Sequence, residues 1–275
     1  MHDRIGDNAP LNATLTILYR DDHFVAVDKP SGIFVHPTRL GRREPDCMSR
    51  LGRQLGRPVF TIHRLDRATS GVLLFALSSE AAQKMCVLFE ERRILKEYLA
   101  VVRGFAPEAG RIDHPLRKHP KKSAVDALTD FVRVGTAELP ESVGRHDTAR
   151  FSLVRAVPHT GRMHQIRRHM AHISHPVIGD TRYGDGAQNR FFRARFGVRR
   201  LALVAVRLAF LHPYTREDVS VVAEPSEDLR AMFAGMGWNA SLAGDPLARQ
   251  GRRQAAEAGP FLPSPNHVAR ETTGE

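Results

Sequence analysis

The chain has 275 residues, 42% hydrophobic and 26% charged, enough apolar material to bury a core and too much for wholesale disorder. Two cysteines, Cys47 and Cys86, exclude a disulfide scaffold and a four-thiolate zinc site, and suit a reducing compartment such as the cytoplasm. The longest apolar runs, Val72 to Leu77 and Leu201 to Val206, have six residues each, far below the roughly 18 a membrane helix needs.

The opening MHDRIGDNAP carries acids and no apolar stretch, unlike a signal peptide. Lysine and arginine total 41 against 30 acids, a formal charge of +11. Residues 241–275 hold four Arg and four acids, so the whole excess lies before them, and 162–200 alone contain nine Arg and two Asp. A concentration of this kind is the footprint expected for a polyanion such as nucleic acid. Coding bias accounts for Arg outnumbering Lys 35 to 6, but not for the shortage of acids in one window.

Residues 1–13 read as a flexible leader. LTILYR (15–20) and FVAVDKP (24–30), separated by Asp21-Asp22-His23, predict a strand pair joined by a turn, stopped by Pro30 and Gly32. Residues 37–58 are basic and turn-rich. VLLFAL (72–77) reads as a buried strand, and Ser78 or Ser79 caps a helix whose apolar residues at 81, 82, 85, 88 and 89 keep helical spacing. EYLAVVRG (97–104) returns to strand, as do runs near 125–134, 149–157, 201–209 and 218–223, with helices over 163–173 and 226–236. Strands follow strands as often as helices, which predicts an α+β fold with a mixed, mostly antiparallel central sheet flanked by helices. One folded domain is expected over 14–240, followed by a disordered tail over 241–275.

Two clusters carry the chemistry. HRLDRATSG (63–71) sets Asp66 between Arg64 and Arg67 ahead of the buried strand. A plain charged loop is the bland reading, and a hydrolase triad from His63, Asp66 and Ser70 lacks the G-x-S-x-G elbow. In HTGRMHQIRRHMAHISHPVIGD (159–180), Met163, Ile166, Met170 and Ile173 form one helical stripe. Arg167 lies about 80° from the stripe's centre, at the edge of the buried face. A guanidinium there needs a carboxylate partner, and Asp66 is a natural candidate. The histidines at 164, 169, 172 and 175 show no metal-binding pattern, so capping, packing and phosphate contact are expected of them. Tyr98, in the strand after the helix, is either a core aromatic or a platform on which a base stacks.

Taken together, KPSGIFVHP (29–37), HRLDRATSGVLLFA (63–76), KEYLAVVRG (96–104) and TGRMHQIRRHMAHISHPVIGDTRYG (160–184) resemble the RluA family of pseudouridine synthases, in the family's order and over roughly residues 15–223. A narrower resemblance, carried by ELPESVGRHDTARFSLV (138–154), GDTRYGDGAQNR (179–190) and Gly237-Trp238, is to the branch that modifies a uridine at position 65 of tRNA.

The resemblance implies the pseudouridine synthase fold and an isomerase that breaks the C1′–N1 bond of a uridine and rejoins the ring through C5, with no cofactor and no metal. It implies Asp66 as catalytic aspartate, acting as nucleophile at the sugar or as base, Arg167 as its basic partner, and Tyr98 as the residue that stacks on the uracil. RNA, most specifically tRNA, is the partner expected. No membrane and no protein partner is implied. For RNA contact the candidates are Arg64, Arg67, Arg39, Arg42, Arg43, Arg162, His164, Arg193 and Arg199. The stretch RFFRARFGVRR (190–200) holding two of these reads equally as a phosphate- and base-binding surface or as a helix packing its Phe inward. A ribosomal RNA synthase of the same family and a non-catalytic RNA-binding protein are the competing readings.

Overall fold

A continuous apolar run such as Val72–Leu77 is satisfied only when both faces of a strand are covered, and the structure, a computed structural model describing residues 14–37, 46–119, 121–144 and 146–238, uses it in this way. Strand β4 (Ser70–Ala76) is buried along its length. Leu73 and Phe75 enter one core cluster with α1 (Cys47–Leu55), while Val72, Leu74 and Ala76 enter another with α2 (Ser79–Glu90). Ser78 caps α2 as expected, its hydroxyl accepting from the Ala81 amide at 3.1 Å.

Beside β4 stands the hairpin of β1 (Thr16–Arg20) and β2 (Phe24–Lys29), whose turn is held by Asp21 Oδ1 accepting from the His23 and Phe24 amides at 2.7 and 2.6 Å. The remaining strands are β3 (Phe60–Thr61), β5 (Leu95–Arg103), β6 (Ala109–Asp113), β7 (Leu116–Arg117), β8 (Ala124–Val125), β9 (Leu128–Leu139), β10 (Ala149–Pro158), β11 (Leu203–Leu211) and β12 (Asp218–Val222). Helices α3 (Gln165–His172), α4 (Gly186–Phe196) and α5 (Glu227–Gly235) complete the described residues. The main sheet has ten strands in the order β1-β2-β4-β11-β5-β10-β9-β6, with β12 on β11 and β3 on β4; β7 and β8 pair apart from it. Among the described residues only β4 and β11 run parallel, so the sheet is mixed and mostly antiparallel.

At that parallel seam Gly71 faces Ala205, and Ala205 faces Tyr98 on β5, making one row across three adjacent strands. Gly71 has φ +107, and a Cβ there would lie 2.1 Å from the Ala205 carbonyl oxygen. Only glycine permits this approach. The row sets the start of β4, and with it the Asp66 loop, two strands from Tyr98.

Several elements differ from expectation. The segment read as basic and turn-rich contains α1, capped by Asp46, whose side chain accepts from the Ser49 amide, and closed by left-handed Gly56. Its buried face is Cys47, Arg50 and Leu51; an arginine in the stripe hides the periodicity. The helix expected over 163–173 begins only at Gln165, because His164 is left-handed (φ 55), so Met163 leaves the apolar stripe and is exposed. In α4 the phenylalanines turn inward: Phe192 is fully buried, with Phe191 and Phe196 packed against the same cluster, so they are not open to bases. Trp238 closes that cluster, its indole N–H donating to the Thr136 carbonyl at 3.0 Å over Gly135. The expected leader, the tail, and Arg39, Arg42 and Arg43 lie outside the described residues. Among those described, no helix is long and apolar enough to cross a membrane.

Gly71→Ala places a Cβ against backbone as well as forcing an unfavourable φ. Urea unfolding will show a loss of about 2–4 kcal/mol.

Candidate active site

The loop between β3 and β4 is built on a cradle of backbone bonds. The Lys29 ammonium, fully buried, donates to the carbonyls of Pro30, Arg67 and Thr69 at 2.9, 3.0 and 2.7 Å. Ser31 Oγ donates to the Ala68 carbonyl at 2.7 Å, and the Gly32 amide to that of Arg67 at 2.8 Å. Burial pulls the Lys29 pKa down to about 8, against the opposing pull of Cys47 and Asp66. The segment KPSG thus fixes the backbone immediately after Asp66, whose own carbonyl accepts from the Thr69 amide at 3.1 Å.

His63 and Ser70 are occupied structurally. His63 Nε2 accepts from the Leu74 amide at 3.0 Å, its ring stacks on Phe89, and burial pushes its pKa down to about 3. The Ser70 hydroxyl accepts from Arg200 at 3.1 Å. Neither is free for a hydrolase triad.

Helix α3 docks on β9 through polar as well as apolar contacts. Ile166 and Met170 are buried. Gln165 Nε2 donates to the Leu128 carbonyl and Thr129 Oγ1, both at 2.9 Å, while its Oε1 accepts from Thr160 and the Arg162 amide. His169 bridges Thr129 and the His114 carbonyl. This docking aims Arg167 at the loop.

Its guanidinium donates from Nη1 to Asp66 Oδ2 at 3.1 Å, and from Nε and Nη2 to Asp180 at 2.7 and 2.8 Å. The pairing with Asp66 inferred from the helical wheel is therefore present, but the bidentate partner is Asp180, a residue the sequence did not single out. Asp180 is 2% exposed and also accepts from the Arg182 and Tyr183 amides. Burial alone would raise its pKa, but Arg167 and those amides hold it below the usual carboxylate range. Burial likewise opposes the charge of Arg167, and the two carboxylates outweigh it. One signal pointed to Asp180: it is one of only two acids among the nine arginines of 162–200.

Tyr183 lies under the guanidinium, 5.3 Å from ring centre to Cζ, and its hydroxyl meets His164 Nδ1 at 3.1 Å. His164 Nε2 stands 3.9 Å from Asp66 Oδ1. Burial, opposed by Asp66 and reinforced by Arg167 and Arg182, lowers the His164 pKa, so the ring is neutral at pH 7.

These groups border a cavity of about 910 Å³. Asp66, Tyr98 and Arg167 all line it, as do Arg64, Arg162 and His164. Tyr98 is half-buried; burial first, then the charge of Asp66, raise its pKa, so the phenol stays protonated. Arg67 is turned elsewhere: its Nε donates to the Gly32 carbonyl at 2.7 Å and its guanidinium lies over Phe34. Arg193 and Arg199 are exposed, but neither lines the cavity. Lys96 and Arg92 do line it and were not anticipated. Among the described residues no group of three or more His, Cys, Asp or Glu is placed to hold a metal.

Arg167→Ala would strand the Asp180 carboxylate in the interior. Chemical denaturation will show a loss of about 3–5 kcal/mol, and an unchanged midpoint would contradict the burial of this pair.

Proteins similar to this chain agree on its family. Residues 23–172 match the family model described as RNA pseudouridylate synthase. The chain is 48% identical over 221 residues to the tRNA pseudouridine synthase C of Pasteurella multocida, spanning 76% of this chain and 91% of that one. It is 45% identical to the protein of that name from Haemophilus influenzae, over 82% of this chain and 98% of the relative. Among solved structures, human RNA pseudouridylate synthase domain containing 1 superposes with a TM-score of 0.62 at 27% identity, covering 79% of this chain and 85% of that one. Human RNA pseudouridylate synthase domain containing 4, at 22% identity and a TM-score of 0.63 over 80% of this chain and 92% of that one, shares the fold. The chain belongs to the RNA pseudouridylate synthase family and is an isomerase that converts uridine in RNA to pseudouridine.

Proposed function

We propose that the RNA is a tRNA, that the target is its uridine 65, and that Asp66, Arg167 and Tyr98 carry the reaction inside the cavity. The observation that supports this reading most is the Asp66–Arg167–Asp180 arrangement, in which one carboxylate is held by the buried arginine yet keeps its other edge on the cavity. The similarity to synthases named for tRNA supports the substrate, and two free cysteines, one buried, fit a cytoplasmic setting.

A uridine stacked in RNA presents neither C1′ nor C5, so it must leave the stack, at a cost of a few kcal/mol. Stacking on Tyr98 returns roughly 1–3 kcal/mol, and contacts from the Arg64 and Arg162 side chains to phosphate supply more. With the uracil on Tyr98, Asp66 either attacks C1′ or takes a proton from the sugar. The C1′–N1 bond breaks, the ring turns, and C5 joins C1′ as the Asp66–C1′ ester bond breaks or, on the other route, as the sugar regains its proton from Asp66. The C5 proton is then lost and N1 gains one. Because Tyr98 is a protonated phenol, its part is to stack on the ring, and the C5 proton passes to solvent; it is not a standing phenolate base. Arg167 keeps Asp66 in place throughout and does not itself transfer a proton.

The test is nucleoside analysis and position mapping on unmodified tRNA transcripts, incubated with wild type or Asp66→Asn and no added metal or cofactor. Wild type is expected to form pseudouridine at position 65, while the variant forms none and binds the same RNA within a few fold. Product on ribosomal RNA alone would overturn the tRNA assignment, and near-normal turnover by Asp66→Asn would overturn the role of the aspartate.

A further inference from the structure

Two cations line the cavity with no counter-ion among the described residues. Lys96 lies on β5 two residues before Tyr98, so the two side chains share a face of the sheet. Both line the cavity, as does Arg92. Among the described residues the half-buried Lys96 ammonium has one hydrogen bond, a long one of 3.4 Å to the Thr160 carbonyl, although it can donate three. Among the described residues neither Lys96 nor Arg92 has a carboxylate within ion-pair reach. The carboxylates that line the cavity, Asp66 and Glu90, are engaged elsewhere or exposed at the rim.

Arg92 occupies the turn between α2 and β5, with φ 59. Its amide and that of Arg93 close the helix on the Phe89 and Leu88 carbonyls. Glycine usually fills that left-handed position. The next residue, Arg93, pairs with Glu91 at 3.1 Å, which leaves Arg92 as the exposed guanidinium on the cavity side. The field of Arg92 adds to burial in lowering the Lys96 pKa to about 8. Two cations that repel each other at a cavity edge are relieved by a full negative charge; a neutral uracil carbonyl would satisfy one hydrogen bond and leave the repulsion.

We propose that Lys96 and Arg92 form a phosphate subsite, which holds one phosphodiester of the strand carrying the target nucleotide while its base rests on Tyr98. The proposal rests on the reading of the cavity as the uridine site. It gives the flipped nucleotide two fixed points on this wall: an apolar face on the tyrosine and an anion beside it. The sugar is thereby turned toward Asp66 across the cavity.

The experiment replaces, one at a time, each phosphodiester within two linkages of the modified uridine by a neutral methylphosphonate. Affinity is measured for wild type, Lys96→Gln, Arg92→Gln and the two combined, and wild-type pseudouridine formation is read on the same RNAs. The expected result is one linkage whose neutralisation weakens wild-type binding by roughly 10- to 100-fold. The same linkage should cost less in either single variant, which keeps one of the two cations, and no more than about twofold when both are replaced, the changes being non-additive where they remove one contact. Additive losses at every linkage, with wild-type turnover intact, would overturn the subsite and leave uridine isomerisation standing. No pseudouridine from wild type on any RNA would fell the underlying reading, and the subsite with it. Arg92 is exposed, so Arg92→Gln decides the matter should Lys96→Gln melt well below wild type.

Discussion

Burying an unpaired guanidinium is costly, and Arg167 offsets that cost with two aspartates from distant parts of the chain. Asp180 takes two of its N–H groups and Asp66 one. The division matters chemically. Asp180, almost inaccessible, neutralises the arginine and fixes its plane, so the contact with Asp66 through Nη1 can hold that carboxylate in position without covering it. Were Asp66 the sole partner, its oxygens would be drawn into a bidentate pair and the edge facing the cavity would be lost.

The rest of the structure serves this contact from two directions. From below, the KPSG segment binds the loop backbone just after Asp66, and the buried Lys29 satisfies the Arg67 and Thr69 carbonyls of that tight loop together with the Pro30 carbonyl of its own turn. From the side, Gln165 and His169 fasten α3 to β9. The seam at Gly71 and Ala205 draws β4 and β11 together and sets Tyr98 in the same row. Asp66, Arg167 and Tyr98 thus come from a loop, a helix and a strand whose mutual placement depends on a glycine with no room for a side chain.

How much of this was legible in the sequence depends on whether the signal was local. The apolar run of β4, the cap and stripe of α2, and the polarity of HRLDRATSG are local, and all of them reappear in the structure. That Arg167 needs a carboxylate followed from its place on a helical wheel, but a wheel does not say which one. Asp180 lies on a loop beyond the helix and is brought to Arg167 by the left-handed turn at Gly179, whose Cβ position is filled by the Arg200 carbonyl. Helix α1 was hidden because an arginine occupies its buried stripe. The phenylalanines of α4 read two ways until the cluster around Phe151 and Trp238 supplied the partners that bury them. Arg92 gave no signal, and Lys96 entered only as the first residue of KEYLAVVRG, because a cation in a sequence carries no sign of whether it has a counter-ion.

The central claim is that Asp180 acts through Arg167 to hold Asp66, and the most direct measurement is the single-turnover rate of Asp180→Asn beside its RNA affinity. The asparagine keeps the shape and the amide contacts but weakens the bidentate pair. Arg167 then swings toward Asp66 and misplaces it. The account predicts a fall in turnover of about 100-fold, as expected when a reacting group shifts by about 1 Å, with affinity within a few fold of wild type. Wild-type turnover from a folded Asp180→Asn would contradict it.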